Sequence, residues 1–230
     1  MEPTQDFQQK THQSFTFSIP LECYYLVHQP STPSALLWMV VHGYAMNAAQ
    51  MLDLSLLVLG KDQLVVSVQA PHHFYPDQRK PDVGYNWGTR NHGTASIRMH
   101  HEMIRCVRRE MQGRYGIPPS RTVLLGYSQP VGYNYRFAAT YPDEVRGVVG
   151  ICGGVPKDWE TGDYGKIAAS VLHIARNEDE FFPPTVTMDY ERKLRTRADD
   201  VQFEMLPGGH RFPSKAAPVI AAWRQRVFGI

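Results

Sequence analysis

The sequence predicts an α/β fold, with a mostly parallel central sheet and helices on both of its faces. Three observations lead there. From residue 36 onward, apolar runs of strand length alternate with helical segments, the pattern of a parallel sheet built from crossover units. Runs such as "ALLWMVVHG" (35–43) and "QLVVSVQAP" (63–71) are continuously apolar, as in strands buried on both faces. The length of 230 residues, 43% hydrophobic and 20% charged, suits one ordinary globular domain with a full core. No repeat, low-complexity tract or linker interrupts it. The expected organisation is a loose polar tail over residues 1–13 and a single domain over 14–230.

The elements follow in order. "FTFSIPLECYYLVHQP" offers two β-rich runs broken at Pro20. The strand at 35–43 ends in His-Gly. "AAQMLDLSLLVLG" reads as a helix closing at Gly60, and the next strand stops at Pro71. A long irregular stretch occupies 71–93. "TASIRMHHEMIRCVRREMQGRYG" carries an apolar stripe of Ile97, Ile104, Val107, Met111 and Tyr115 near helical spacing, ended by Gly116. "RTVLLGYS" is a strand, and "PVGYNYRFAATYP" a helix ending before Pro142. "EVRGVVGICGG", "ASVLHIAR" and "DVQFEML" are further strands. "TVTMDYERKLRTR" and "KAAPVIAAWRQRVF" are helices.

Composition excludes several function classes. The net charge is +2 and no Lys/Arg block appears, which argues against a nucleic-acid binder. Arg105, Arg108, Arg109 and Arg114 alternate with Glu102 and Glu110, as on a solvated helix face. Cys23, Cys106 and Cys152 are widely spaced and odd in number, unlike a disulfide framework. The polar start lacks a signal-peptide apolar core, and no run approaches a membrane span, so the expected location is cytoplasmic. "HHEMIR" at 100–105 has Arg105 where a zinc motif needs its second histidine, so no metal is expected.

The chemistry gathers at the carboxyl ends of the strands, where open α/β sheets bind ligands. In "VLLGYSQPVG", Ser128 lies between a strand and a helix, the setting of a sharp nucleophile turn of the form G-x-S-x-G. Gly126 fits that pattern; Pro130 stands where the second glycine would be. A helix N-cap serine is the bland alternative. A serine hydroxyl needs a base, and the base an orienting acid, in the chain order serine, acid, histidine. Asp179 falls four residues past Ala175 at the end of one strand, in a loop stiffened by Pro183 and Pro184, with Glu178 and Glu180 as rival acids. His210 falls four residues past Leu206, after Gly208 and Gly209. A tetrahedral oxyanion needs two preorganised N–H donors, each worth about 3 kcal/mol. Gln129 supplies one. The loop after "MVVHG" supplies the other, with Tyr44 preferred, Ala45 the alternative and His42 bracing the loop. His72 and Trp87 are candidate substrate contacts, Phe181 and Phe182 candidate pocket walls, and Cys152 a buried apolar residue.

"VVHGYAMNA", "APHHF", "GYSQP…RFAATYP", "NEDEFFPP" and "PGGH" together resemble, in order and spacing, the α/β-hydrolase superfamily. Within it the chain resembles the carboxylesterase/phospholipase group that also holds acyl-protein thioesterases, over about residues 35–225. The resemblance implies Ser128, Asp179 and His210 as the catalytic triad, hydrolysis of an ester or thioester through an acyl-enzyme, and no cofactor. Three departures stand out: Ala45 for a glycine in the oxyanion loop, Arg176 where glycine is frequent, and Pro130 in the elbow. The missing proline N–H costs no helix bond in a first turn, so the expectation is a shifted elbow that still works.

The connection over 152–168 has room for a small insertion and no large lid. That favours a carboxylesterase acting on small, short-acyl esters. An acyl-protein thioesterase or lysophospholipase is the alternative within the class, and a weakly catalytic ligand-binding relative the alternative outside it. The sequence leaves monomer and homodimer equally open.

Overall fold

The computed structural model describes residues 15–230. The expected tail over 1–13 lies outside the described residues. The strands are β1 (Tyr25–His28), β2 (Leu37–Val41), β3 (Leu64–Val68), β4 (His72–Phe74), β5 (Gly84–Asn86), β6 (Thr122–Tyr127), β7 (Gly147–Ile151), β8 (Ser170–Arg176) and β9 (Val201–Leu206). The helices are α1 (Ala48–Leu59), α2 (Gly93–Tyr115), α3 (Val131–Thr140), α4 (Pro184–Thr187), α5 (Tyr190–Arg195) and α6 (Ala217–Phe228).

Seven strands form one sheet in the order β1-β3-β2-β6-β7-β8-β9. Every pair is parallel except β1 with β3. The chain moves outward from β2 to β3 and then returns to the other side of β2 as β6. This reversal opens a crevice at the carboxyl ends of β2 and β6, the place where such sheets take ligands.

The continuous apolar runs still alternate between faces. Leu37, Met39 and Val41 of β2 join a core with Ile104 and Met111 of α2 and Phe137 of α3. Trp38 and Val40 of the same strand join the opposite core with Met51 of α1 and Trp223 of α6. Both faces are covered, so all five residues of β2 are apolar and buried. The chain linking β7 to β8 packs sideways and forms no large lid. Trp159 donates its indole N–H to the Lys193 carbonyl of α5 at 3.0 Å, and Arg136 of α3 pairs with Asp158 at 2.8 Å.

Four local expectations are corrected. Only Tyr25–His28 of the early β-rich stretch pairs as a strand; the Tyr24 carbonyl just before it accepts the Gln69 N–H at 2.9 Å, and Phe17 is 89% exposed. The stretch 71–93 contains the antiparallel ladder β4–β5. The helix expected from "TVTMDYERKLRTR" divides into α4 and α5 at Asp189, whose carboxylate takes Arg192 and Lys193. Arg108 is not on a solvated face: it is buried and ion-paired with Glu144. No helix among the described residues is long and apolar enough to cross a membrane.

Candidate active site

The elbow is built by glycines beneath a strained serine. Ser128 follows β6 directly with φ 63°, in the left-handed region that costs an L-residue about 1–2 kcal/mol. Two bonds hold it there: its N–H donates to the Ile151 carbonyl at 2.8 Å, and the Val131 N–H donates to its own carbonyl at 3.2 Å. A Cβ at Gly126 would come within 2.5 Å of the Asn134 amide, and one at Gly153 within 2.5 Å of the Ser128 carbonyl. Close packing of α3 on β6 and β7 therefore requires glycine at both positions. Pro130 sits one residue before α3, at φ −75°, and its carbonyl accepts the Asn134 N–H at 2.9 Å. It thus precedes the first turn, where an N–H is not needed. The strained turn forms with proline at 130.

The loops after β8 and β9 bring the acid and the histidine to this hydroxyl. Ser128 Oγ lies 2.8 Å from His210 Nε2, and His210 Nδ1 lies 2.8 Å from Asp179 Oδ2. An ionised carboxylate only accepts, so Nδ1 carries the hydrogen and Nε2 is free to accept the serine proton. The Asp179 side chain is 1% exposed. Its Oδ1 accepts the N–H groups of Phe181 and Phe182, each at 2.9 Å, so the carboxylate is fixed by three donors. Asp179, not Glu178 or Glu180, orients the ring. Glu180 instead accepts the backbone N–H of His210 at 3.1 Å, and N–H donation by its own backbone and by His210 holds its carboxyl below the usual range. Glu178 ties the two loops by donating its N–H to the Gly208 carbonyl at 3.0 Å.

Four further side chains surround the histidine loop and its ring: Arg176, Tyr127, Phe181 and Phe182. Arg176 donates to the carbonyls of Pro207 and of Arg211, the latter at 3.0 Å, bracketing the histidine loop from both sides. Gly208, at φ 118°, lies so close that a Cβ there would overlap the guanidinium. Tyr127 stacks on the imidazole at 5.7 Å between ring centres and 22° between planes. Phe181 meets it edge-on at 4.8 Å and Phe182 lies at 5.8 Å. Cys152 is buried as expected, and burial pushes its thiol up to about 12.

The loop after β2 is braced from below. Buried His42 donates from Nδ1 to the Gly43 carbonyl at 2.8 Å and accepts the Ala70 N–H at Nε2 at 3.0 Å. Burial lowers its pKa to about 4, so the ring is a neutral strut. The two oxyanion candidates separate cleanly. The Ala45 N–H is engaged by the Tyr85 carbonyl at 2.9 Å, whereas the Tyr44 and Gln129 N–H groups have no acceptor among the described residues. Ala45 also has φ 63°, the conformation a glycine would adopt without strain.

Trp87, expected as a substrate contact, is instead fully buried. Its indole N–H donates to the His42 carbonyl at 2.8 Å, and its backbone N–H donates to the Gln129 side chain at 3.1 Å. It joins the loop after β2 to the turn at Ser128 because an indole can fill a core and still satisfy a carbonyl. His72 is exposed on β4, opposite Asn86 of β5.

This architecture is the α/β-hydrolase fold, with a Ser–His–Asp hydrogen-bonded chain at the carboxyl edge of its sheet. Among solved structures it is similar to the carboxylesterase of Bacillus cereus: TM-score 0.73, 16% identity, covering 90% of this chain and 95% of that one. A carboxylesterase from Mesorhizobium loti gives 0.71 at 19% identity, covering 88% and 94%. A phospholipase/carboxylesterase from Dyadobacter fermentans gives 0.67 at 15% identity, covering 89% and 97%. No protein-family model and no curated protein sequence matches the chain.

Proposed function

We propose that the protein is a serine hydrolase of carboxylic esters, acting on small, short-acyl substrates through an acyl-Ser128 intermediate. One observation carries this reading: the serine hydroxyl, held on a strained turn, faces an imidazole whose far nitrogen is locked by a buried carboxylate, with both contacts at 2.8 Å. His210 takes the hydroxyl proton as Oγ attacks the ester carbonyl, and Asp179 stabilises the imidazolium that forms. The N–H groups of Tyr44 and Gln129 bind the oxyanion. The protonated His210 gives its proton to the departing alkoxide. It then activates water to release the acid from Ser128.

A fluorophosphonate probe tests the reading directly. The protein should be labelled at one site, and Ser128→Ala should abolish both labelling and turnover of p-nitrophenyl acetate. Absence of labelling in the parent protein would favour a ligand-binding relative with little turnover. Faster turnover of long-chain acyl esters or thioesters than of acetate would move the assignment toward a thioesterase or lysophospholipase.

A further inference from the structure

Phe181 is anchored yet uncovered. Its N–H is tied to the Asp179 carboxylate at 2.9 Å, and its ring stands 4.8 Å from the His210 ring at 63°, but the residue is 69% exposed. Its neighbour Phe182 does the packing: a Cβ at Gly154 would come within 3.0 Å of that ring. The same segment continues with Val186 and Met188, which are also exposed. Phe181 thus stands on an anchored backbone as an apolar ring beside the imidazole, with most of its surface left to solvent.

The proposed chemistry says what passes that surface. In acylation the Ser128 Oγ–carbonyl bond forms and the bond to the alcohol oxygen breaks. The proton from Oγ travels through His210 Nε2 to that leaving oxygen, releasing a neutral alcohol. The leaving oxygen must come within about 3 Å of Nε2, so the first atoms of the alcohol lie along the imidazole, next to Phe181. The acyl group is bonded to the other side of the carbonyl carbon, away from the leaving oxygen.

We propose, resting on the hydrolase reading above, that Phe181 reads the alcohol portion of the ester, and that the protein takes esters of aryl or arylmethyl alcohols in preference to saturated alcohols of the same size. An alkyl chain gains most from an enclosing groove. A single exposed ring offers one face or edge, and only another flat ring gains from it beyond the area buried.

Benzyl acetate and cyclohexylmethyl acetate test this, because they form the same acetyl-enzyme and release alcohols of the same carbon count. The parent protein should favour benzyl acetate in kcat/KM by roughly three- to tenfold. Phe181→Ala should bring the ratio near one, and Phe181→Tyr should keep it. Methyl phenylacetate against methyl cyclohexylacetate, which differ on the acyl side, should show no dependence on Phe181. A parent ratio near one, a ratio unchanged in Phe181→Ala, or a Phe181-dependent preference on the acyl side would each overturn the proposal. If Ser128 is nevertheless labelled by the fluorophosphonate, the hydrolase reading survives that failure; if it is not labelled, both fall.

Discussion

Arg176 shows how much a single side chain can decide at this site. The related pattern often has glycine there, yet in this chain the guanidinium spans the Pro207 and Arg211 carbonyls on either side of His210. A histidine loop containing Gly208 and Gly209 has little stiffness of its own, and Arg176 adds to what the bonds from Glu178 and Glu180 supply. Arg176→Leu should lower kcat by about ten- to a hundredfold with little change in KM, because a base displaced by a fraction of an ångström still permits binding. The rate of fluorophosphonate labelling should fall in parallel, and Arg176→Lys should recover part of it. Equal loss in KM and kcat, or unchanged labelling, would count against a positioning role. Pro130 carries the opposite lesson. It departs from the elbow pattern, but at the position it occupies no N–H is required.

At the scale of elements, the elbow depends on how closely α3 approaches β6 and β7. Gly126 and Gly153 leave room for the Asn134 amide and the Ser128 carbonyl, and neither position can accept a methyl without movement. Gly153→Ala should destabilise the protein by roughly 1–3 kcal/mol, read as a lower urea midpoint, and should reduce labelling of Ser128. A variant with parental stability and labelling would show that the elbow relaxes freely. The ladder β4–β5 is the second such device. Tyr85 accepts the Ala45 N–H and donates its own to the Met46 carbonyl at 3.1 Å, fixing the loop after β2 from the side. "APHHF" and "VGYNW" are too short and too polar to announce strands. They pair because the loop after β2 gives β5 a backbone to bond.

At the scale of the whole molecule, stability is tied to buried neutral histidines. Burial lowers the pKa of His42 and of His101 to about 4 and that of His173 to about 3. Burial and the neighbouring His101 also push His100 well down. These values lie below the unfolded value of about 6.5, so as pH falls the unfolded chain binds protons first. The stability tied to these rings is fully present above pH ~6.5 and is lost as pH falls toward their folded values. For His42 alone the loss amounts to about 3 kcal/mol. The urea midpoint should therefore drop steadily between about pH 6.5 and 4. His101→Phe, which keeps a ring between Phe137 and Tyr141, should show a shallower drop. A midpoint independent of pH over that window would rule the linkage out.

Much of this was legible in order and spacing. Alternating strand-length and helix-length segments determined the parallel sheet, because a crossover must separate parallel neighbours. Ser128, Asp179 and His210 each fell just past a strand end, and parallel strands deliver such loops to one edge. Tertiary structure alone decided the rest. It took the Ala45 N–H out of contention by pairing it with Tyr85, and it drew Trp87 into the core as a strut. It turned Arg108 inward to Glu144, and it set Arg176, Tyr127 and Phe181 around His210. Those outcomes depend on partners distant in the chain, and local pattern carries no record of which buried carbonyl or carboxylate a side chain will meet.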